Sequence, residues 1–299
     1  VVLDKNLFSS NKYGNADFRS NIKIHNYDTN KFTKFFVNDI DWKFKDINYS
    51  SGLKGKLLAK LKNVNYESKN TTQYKSDTTN ELFGALGYLT EINFHKETEN
   101  SLNHLLTPKM LLRYAPGHMR NETNKTRLNH LNIFSLDRLN TYDNFESGLS
   151  TTLGFDYEIK NPLREFSLSV GQVINEKENN DMPSSSSLDQ QFSDVIGHSN
   201  LNINENIKFN YNFALDQNYK QLNYNEIGTE ISLNPIKFNL SYLEEKEHIG
   251  NQEYLKAKID LKKGSNGLFA VETKRNLITN SSEYYNLSYE YINDCLRAG

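Results

Sequence analysis

Strict alternation of apolar and polar residues is the feature that most constrains how this chain folds. The stretch IKFNYNFALD, residues 207–216, carries large apolar or aromatic side chains at every second position: Ile207, Phe209, Tyr211, Phe213 and Leu215. A period of two puts successive side chains on opposite faces of a β-strand. One face of this strand is therefore apolar, and either a protein core or the hydrocarbon of a bilayer can receive it. These two surroundings lead to different functions.

Segments of the same kind recur through the second half of the chain. They cover roughly residues 146–160, 164–176, 194–203, 207–216, 223–233, 236–246, 253–263, 267–277 and 283–293. Each has about ten residues, the length that a tilted strand needs to cross a bilayer. The connections alternate between short and longer, so tight turns collect at one end of the predicted sheet. Outer-membrane barrels have this asymmetry, with short periplasmic turns and longer external loops.

The first half predicts fewer regular strands and one long loop. Strand candidates lie near residues 16–26, 37–47, 53–66, 81–95 and 106–115. The alternation of sides then requires residues 116–146 to form one long extracellular loop. This loop carries an apolar cluster that is unfavourable in water, so we expect it to fold into the barrel lumen; the cluster is Leu131, Ile133, Phe134, Leu136 and Leu139. Four serines at residues 184–187, beside Pro183, predict a solvated loop tip.

Composition favours a membrane barrel over a soluble β domain. Hydrophobic residues make up 36% of the chain and its mean hydropathy is −0.73, a poor supply for a large buried core. The face opposite the apolar one is rich in Asn, Lys, Ser, Glu and Thr, as a wet lumen requires. Aromatic residues near predicted strand ends fit an interfacial girdle; they are Tyr27, Trp42, Tyr66, Tyr157, Tyr242, Tyr254, Tyr284 and Tyr291. We therefore predict an all-β, antiparallel, up-and-down transmembrane β-barrel, with a soluble sandwich or lipocalin-like barrel as the alternative.

The whole chain, residues 1–299, is predicted to be a fragment of one outer-membrane β-barrel domain. It has no starting Met and ends at NDCLRAG, where another strand begins. We expect about 14 to 15 strands of a larger barrel, more than a small closed barrel contains.

Motifs for catalysis or cofactor binding are not found in the sequence. It contains no P-loop, dinucleotide-binding glycine motif, HExxH or CxxC pattern. The seven histidines do not fall at metal-ligand spacing. The net charge of −2 and the scattered basic residues give no nucleic-acid surface. We therefore expect no enzyme activity, no cofactor, no metal and no nucleic-acid partner.

Several stretches carry a family likeness. They are TPKMLLRYAPGHMRN (107–121), IFSLDRLNTYDNFESGLSTTLGFDYE (133–158), FSLSVGQVINE (166–176), SDVIGHSNLNINENIKFNYNFALD (193–216) and YEYINDCLRAG (289–299). In this order they resemble the barrel domain of the lipopolysaccharide-assembly outer-membrane family LptD, also called organic solvent tolerance proteins. The region 136–148 and the VGQ segment are the more distinctive parts.

The resemblance implies a function without covalent chemistry. Members of the family form an outer-membrane translocon that inserts lipopolysaccharide (LPS) into the outer leaflet of Gram-negative bacteria. It also implies partners: LPS itself, an LptE-like lipoprotein plug in the lumen, an LptA-like periplasmic bridge protein and outer-membrane lipid. A passive pore or nutrient receptor is the alternative function, and a secreted soluble β protein is a third.

Three residues are candidates for roles that the resemblance implies. Arg113, which alternates with Leu112 and Tyr114, and Arg138 in the long loop are candidate lumen contacts for headgroup phosphates. A structural salt bridge is the alternative role for each. Cys295 is a candidate disulfide residue, because family cysteines near the end of the barrel pair with the periplasmic N-terminal region.

Overall fold

The computed structural model describes residues 1–27, 30–98, 102–161, 164–246, 249–264, 266–292 and 297–299. Its strands are β1 (Val2–Ser10), β2 (Gly14–Tyr27), β3 (Lys31–Lys43), β4 (Ile47–Asn48), β5 (Leu53–Lys69), β6 (Thr79–Ile92), β7 (Phe94–Glu97), β8 (Asn103–Ala115), β9 (Gly148–Lys160), β10 (Glu165–Asn175), β11 (Val195–Asn204), β12 (Ile207–Leu215), β13 (Leu222–Leu233), β14 (Ile236–Glu245), β15 (Gln252–Lys263), β16 (Gly267–Asn276), β17 (Ser281–Ile292) and β18 (Arg297–Ala298). A turn of 3-10 helix covers Ser184–Ser186. Within the described residues, no helix has the length and apolar composition that crossing a membrane requires.

Strands that follow each other in sequence pair with each other. The antiparallel registers join β1 to β2, β2 to β3, β3 and β4 to β5, β5 to β6, and β6 and β7 to β8, and they continue from β10 to β18 in order. β4, β7 and β18 have two, four and two residues, which leaves fifteen longer strands among the described residues. The predicted all-β fold of antiparallel, up-and-down strands is confirmed.

Two strand predictions in the first half differ from the structure. β1 was not predicted, and β3 begins at Lys31 although the pattern placed its start near residue 37. In β3 the apolar residues lie on both faces, because Phe35 and Val37 are buried while Phe36 is exposed on the opposite face. A strand that is apolar on both faces loses the period of two, so the sequence pattern hides its true start.

The described residues form two compact units. The first comprises residues 1–93, 108–154 and 172–193, and the second comprises residues 94–107, 155–171 and 194–299. Residues of β8, β9 and β10 are divided between them.

In the first unit, one face of the sheet is buried and the other is exposed. The face that we call the covered face carries Phe35 and Val37 of β3, Lys62, Val64 and Tyr66 of β5, Glu81, Phe83 and Ala85 of β6, and Leu111 and Arg113 of β8. The opposite, open face carries exposed apolar residues, among them Leu61, Leu82, Leu86, Leu112 and Tyr114. Tyr66 was predicted to lie in an interfacial girdle, and this is wrong, because its ring packs in the core against Phe35.

The second unit shows what surrounds the apolar side chains of residues 207–216. Phe209, Tyr211 and Phe213 all lie on one face of the sheet, and none of them is buried. Their neighbours on this apolar face include exposed residues such as Ile227, Ile259 and Leu287. No protein layer therefore covers the apolar face among the described residues, as expected for a face that meets hydrocarbon in a membrane barrel.

Candidate functional site

The long loop, residues 116–147 between β8 and β9, packs on the covered face of the first unit. Leu136 and Phe145 join the hydrophobic core formed by Phe35, Val64 and Phe83. Of the five apolar loop residues that the sequence singled out, Ile133, Leu136 and Leu139 are buried, Phe134 is partly buried and Leu131 is 80% exposed. The strand beneath is shaped for this contact, because a Cβ at Gly87 would stand 2.5 Å from a methyl group of Leu136.

Two arginines and one glutamate anchor the end of the long loop. Arg113, Arg138 and Glu146 are 0%, 1% and 3% exposed. Arg138 Nε donates to Glu146 Oε2 at 2.9 Å, and its Nη2 donates to Glu146 Oε1 and to Ser150 Oγ, the latter at 2.7 Å. Arg113 Nη1 lies 3.4 Å from Glu146 Oε1, and Arg113 Nε donates to the backbone oxygen of Leu136 at 2.7 Å. The carboxylate of Glu146 therefore holds two buried guanidinium groups at once.

Lys62 of β5 forms a second anchor. Its Nζ lies 3.0 Å from Asp137 Oδ2 and 3.9 Å from Asp39 Oδ1, and its side chain is 3% exposed. The same ammonium group donates to the backbone oxygens of Thr141 and Asn144. A buried lysine needs such partners because an unpaired charge away from water is very unfavourable.

A third anchor joins the long loop to β6 and to the β5–β6 connection. Arg120 pairs with Glu81 of β6 and donates to the backbone oxygen of Asp143. The hydroxyl of Tyr74, in the connection, donates to Asp143. Burial and this hydrogen bond raise the pKa of Tyr74 above its ordinary value, so Tyr74 remains a donor at neutral pH.

A second loop, residues 176–193, packs against the long loop. The backbone N–H of Glu122 donates to the oxygen of Asp181 at 2.8 Å, and Ser185 Oγ donates to the oxygen of Thr126 at 3.1 Å. The expectation of a solvated serine tip is wrong, because Ser185, Ser186 and Ser187 are buried. Serine-rich composition indicates a loop, but it does not show that another loop covers it.

A recess of about 650 Å³ remains between the tip of the long loop and the covered face. Its walls combine apolar and charged residues: Leu58, Leu89, Leu131 and Phe134 with Asp17, Asp41, Lys43, Lys56 and Lys60. Lys56 pairs with Asp46 at 2.8 Å and Lys60 pairs with Asp41 at 3.1 Å. Both signs of charge are present and largely paired, so the recess does not select anions by charge alone.

In the second unit, the polar face offers amides and lysines. A cavity of about 400 Å³ there is lined mainly by Asn200, Asn202, Lys208, Asn210, Glu230, Asn239, Ser241, Lys256 and Lys258. These residues stand in cross-strand rows, such as Asn200 opposite Asn210 and Asn239 opposite Lys258. Amide and hydroxyl groups hydrogen-bond both water and sugar hydroxyls, so this face suits a hydrated passage.

The burial of Glu146 gives the long loop a pH dependence. Burial alone raises the pKa of Glu146, but the charges of Arg113 and Arg138 and the hydrogen bond from Arg138 outweigh it and lower the pKa below 4.5. A carboxylate with a lowered folded pKa stabilises the fold fully above its unfolded pKa, and this contribution is lost as the pH falls through the folded value.

We therefore expect the long loop to loosen as the pH falls below about 4.5. Hydrogen exchange of residues 116–147 in the full-length protein, measured from pH 7 to pH 3, checks this expectation. The variant Glu146→Gln lacks this carboxyl, so the step in its exchange should be smaller than in the wild type. Identical pH profiles for the two proteins would contradict this role of Glu146.

The structure brings two of the three sequence-predicted site residues together. Arg113 and Arg138 meet at Glu146, and in this arrangement both guanidinium groups are buried in protein contacts. Contact with a headgroup phosphate stays a prediction for them. Cys295 lies outside the described residues. Among the described residues, no group of three or more His, Cys, Asp or Glu side chains is arranged to hold a metal ion.

Sequence reasoning missed the partners Glu146, Lys62 and Asp137. One signal was present: SLDRLNTYDNFE mixes acidic and basic residues with apolar ones inside a loop. A loop of this kind can be buried only where its charges find partners. Asp137 and Glu146 lie in the loop, but the cations that pair with them, Lys62 and Arg113, lie on β5 and β8, and pattern alone gives no distance between these strands and the loop.

Comparisons with known proteins identify a family. A family model described as LptD, LPS transport system D, matches residues 3–268. A comparison with curated proteins finds no match. A variant of the Rhodopseudomonas blastica porin aligns with a TM-score of 0.33 and 7% sequence identity, over 97% of this chain and 99% of that chain. A second variant of this porin aligns with a TM-score of 0.30 and 6% identity over the same shares.

Proposed function

Because the chain belongs to the LptD family of LPS transport, whose model matches residues 3–268, we propose that it is a barrel segment of a translocon. The translocon inserts LPS into the outer leaflet of a Gram-negative outer membrane, and it does so without covalent chemistry. The family match is the observation that carries this proposal. LPS transport is the family-level function, and insertion into the outer leaflet is the specific step that we propose.

The two-faced sheet supports the proposal on physical grounds. Acyl chains cross a hydrated polar passage only at a high free-energy cost, and a phosphorylated sugar enters hydrocarbon only at a high cost. A polar face such as the row of Asn200 and Asn210 offers the sugar a wet path. An apolar face such as that of Phe209 and Tyr211 keeps the wall of the barrel in lipid.

We propose that the long loop is extracellular and closes the lumen from outside. Its buried ion pairs support this role, because they hold it against the covered face rather than leave it free in water. Arg113 and Arg138 then act mainly by anchoring the loop through Glu146. In this proposal they contact a headgroup phosphate only when the loop moves and releases the carboxylate.

The family suggests the partners of the complete protein. We propose an LptE-like lipoprotein in the lumen and an LptA-like periplasmic protein that delivers LPS. Both belong with the full-length barrel, of which this chain supplies a part.

Depletion of the full-length protein in its own bacterium tests the function. We expect newly made LPS to accumulate in the inner membrane and the periplasm, while uptake of small solutes stays normal. Pulse-labelled LPS that reaches the cell surface, measured with an LPS-specific antibody, is the readout. Normal surface LPS combined with a loss of small-solute uptake would instead identify a pore or nutrient receptor.

Cys295 provides a separate prediction about maturation. In the family, cysteines at this place form disulfides with the periplasmic N-terminal region, and the periplasm is oxidising. We expect the full-length protein from cells to migrate differently on reducing and non-reducing gels, and Cys295→Ser to abolish the difference. Rapid alkylation of the Cys295 thiol in intact, oxidised cells would show that no such bond forms.

A further inference from the structure

An apolar groove crosses the open face of the first unit. Its cavity of about 320 Å³ is lined by Ile40, Trp42, Ala59, Leu61, Gly84, Leu86 and Pro116, with Lys60 and Ala85 beneath. The registers place these residues in two cross-strand rows, Ile40–Leu61–Gly84 and Trp42–Ala59–Leu86. The small residues Ala59 and Gly84 stand diagonally to each other, with larger side chains on both sides. The groove is therefore deepest along this diagonal.

Gly84 lines the groove, and nothing in the packing of the described residues requires a glycine at this position. Gly55, Gly87, Gly197 and Gly228 each lie under a side chain that would come within 2.5 Å of an added Cβ. At Gly84 the nearest such atoms are 3.4 and 3.5 Å away, which is ordinary contact. The β5–β6 register also runs without a bulge at this residue. A glycine inside a strand weakens it and often marks the close approach of a ligand.

The groove continues into a cluster of amides on the same face. Asn63 follows Leu61 two residues along β5, about 7 Å away, and Asn65 follows Asn63. Asn65 Nδ2 donates to Asn63 Oδ1 at 2.6 Å, and Asn63 Nδ2 donates to Asn80 Oδ1 at 3.4 Å. These side chains are on the side of the β5–β6 connection, where Tyr74 contacts the long loop. An apolar groove that ends in neutral amides has the polarity of an amphiphile with a sugar headgroup.

We propose that this groove binds one acyl chain of an LPS molecule in the outer leaflet, with its sugar headgroup against the amide cluster of Asn63, Asn65 and Asn80. The identity of the lipid rests on the proposed function. Neutral amides pair well with sugar hydroxyls. Both LPS and phospholipid carry phosphate, but only LPS also offers the hydroxyls of a sugar headgroup to these amides. The site lies on the open face of the first unit.

The substitution Gly84→Leu tests the proposal, because the fold has room for the Cβ and the rest of the side chain fills the groove. The full-length protein is purified from outer membranes in mild detergent, and LPS and phospholipid bound per barrel are measured by mass spectrometry. Displacing two methylene groups of an acyl chain corresponds to roughly tenfold weaker binding. We expect about tenfold less bound LPS and unchanged heat-modifiable migration of the folded barrel.

A matched control is Ala257→Leu, which adds a leucine side chain to the apolar face of β15, outside the groove. It should retain LPS like the wild type. Asn63→Leu should keep an acyl chain in the groove but retain phospholipid in place of LPS. Unchanged LPS retention in Gly84→Leu would overturn the proposal, and so would a groove that loses only phospholipid.

The retention experiment needs no transport activity, so it is separable from the depletion test. If depletion leaves surface LPS unchanged while Gly84→Leu still lowers bound LPS, the proposed function is contradicted and the proposed lipid site is supported. If depletion blocks the display of LPS on the cell surface while Gly84→Leu retains LPS normally, the proposed function is supported and the proposed lipid site is contradicted.

Discussion

Replacing Glu146 with Ala is expected to lower the free energy of unfolding by about 3 to 5 kcal/mol, because it leaves two buried guanidinium groups without their carboxylate. Arg113 and Arg138 are almost completely buried and share Glu146. Urea unfolding of the full-length protein in detergent measures the change. Limited proteolysis should at the same time show new cleavage within residues 116–147, since the long loop loses its anchor.

The control for this prediction is Glu158→Ala. Glu158 also pairs with a cation, Lys160, at 2.8 Å, but the Lys160 side chain is exposed to solvent and the Glu158 side chain is partly exposed. Exposed ion pairs contribute little to stability, so the control should unfold like the wild type. Equal effects of the two substitutions would show that the buried cluster does not hold the loop.

The second large effect is expected at the centre of β12. Tyr211→Arg places a charge on the apolar face midway along Ile207–Leu215, and an arginine at the midplane of a bilayer costs about 2 to 4 kcal/mol. Folding titrations of the full-length protein into lipid vesicles measure this cost. Asn210→Arg, on the polar face of the same strand, should cost much less because its side chain meets water.

The comparison of these two arginine variants also tests the orientation of the barrel. A larger cost at residue 210 than at residue 211 would reverse the assignment of faces. Similar, small costs at both positions would mean that neither face meets hydrocarbon.

Sequence was a good guide where one face of a strand is apolar and the other is wet. The strands of the second half, such as Ile207–Leu215 and Ile236–Glu245, lie within a few residues of their predicted bounds. Their side chains alternate because lipid and water impose opposite requirements on the two faces. The short turn between β13 and β14 was equally readable, because Pro235 and Asn234 mark it.

The candidate site was less predictable, because its specificity comes from contacts between distant segments. The apolar residues Ile133 and Leu136 indicated that the long loop packs against another surface, and both are buried. Nothing in the sequence near Arg113 revealed that Glu146 would face it. A pairing of this kind depends on where a loop returns to a sheet, and local patterns do not contain that information.

The separation of these partners along the chain sets an order for assembly. Lys62 and Asp137 are 75 residues apart and Arg113 and Glu146 are 33 apart, whereas β5 and β6 join across nine residues. Closing a longer segment costs more chain entropy and is slower, so the hairpins form before the long loop has a complete surface to dock on. During that interval Lys62 and Arg113 face water from an unfinished wall. Docking of the loop is then a late step, and protease resistance of residues 116–147 would report that a newly inserted wall is complete.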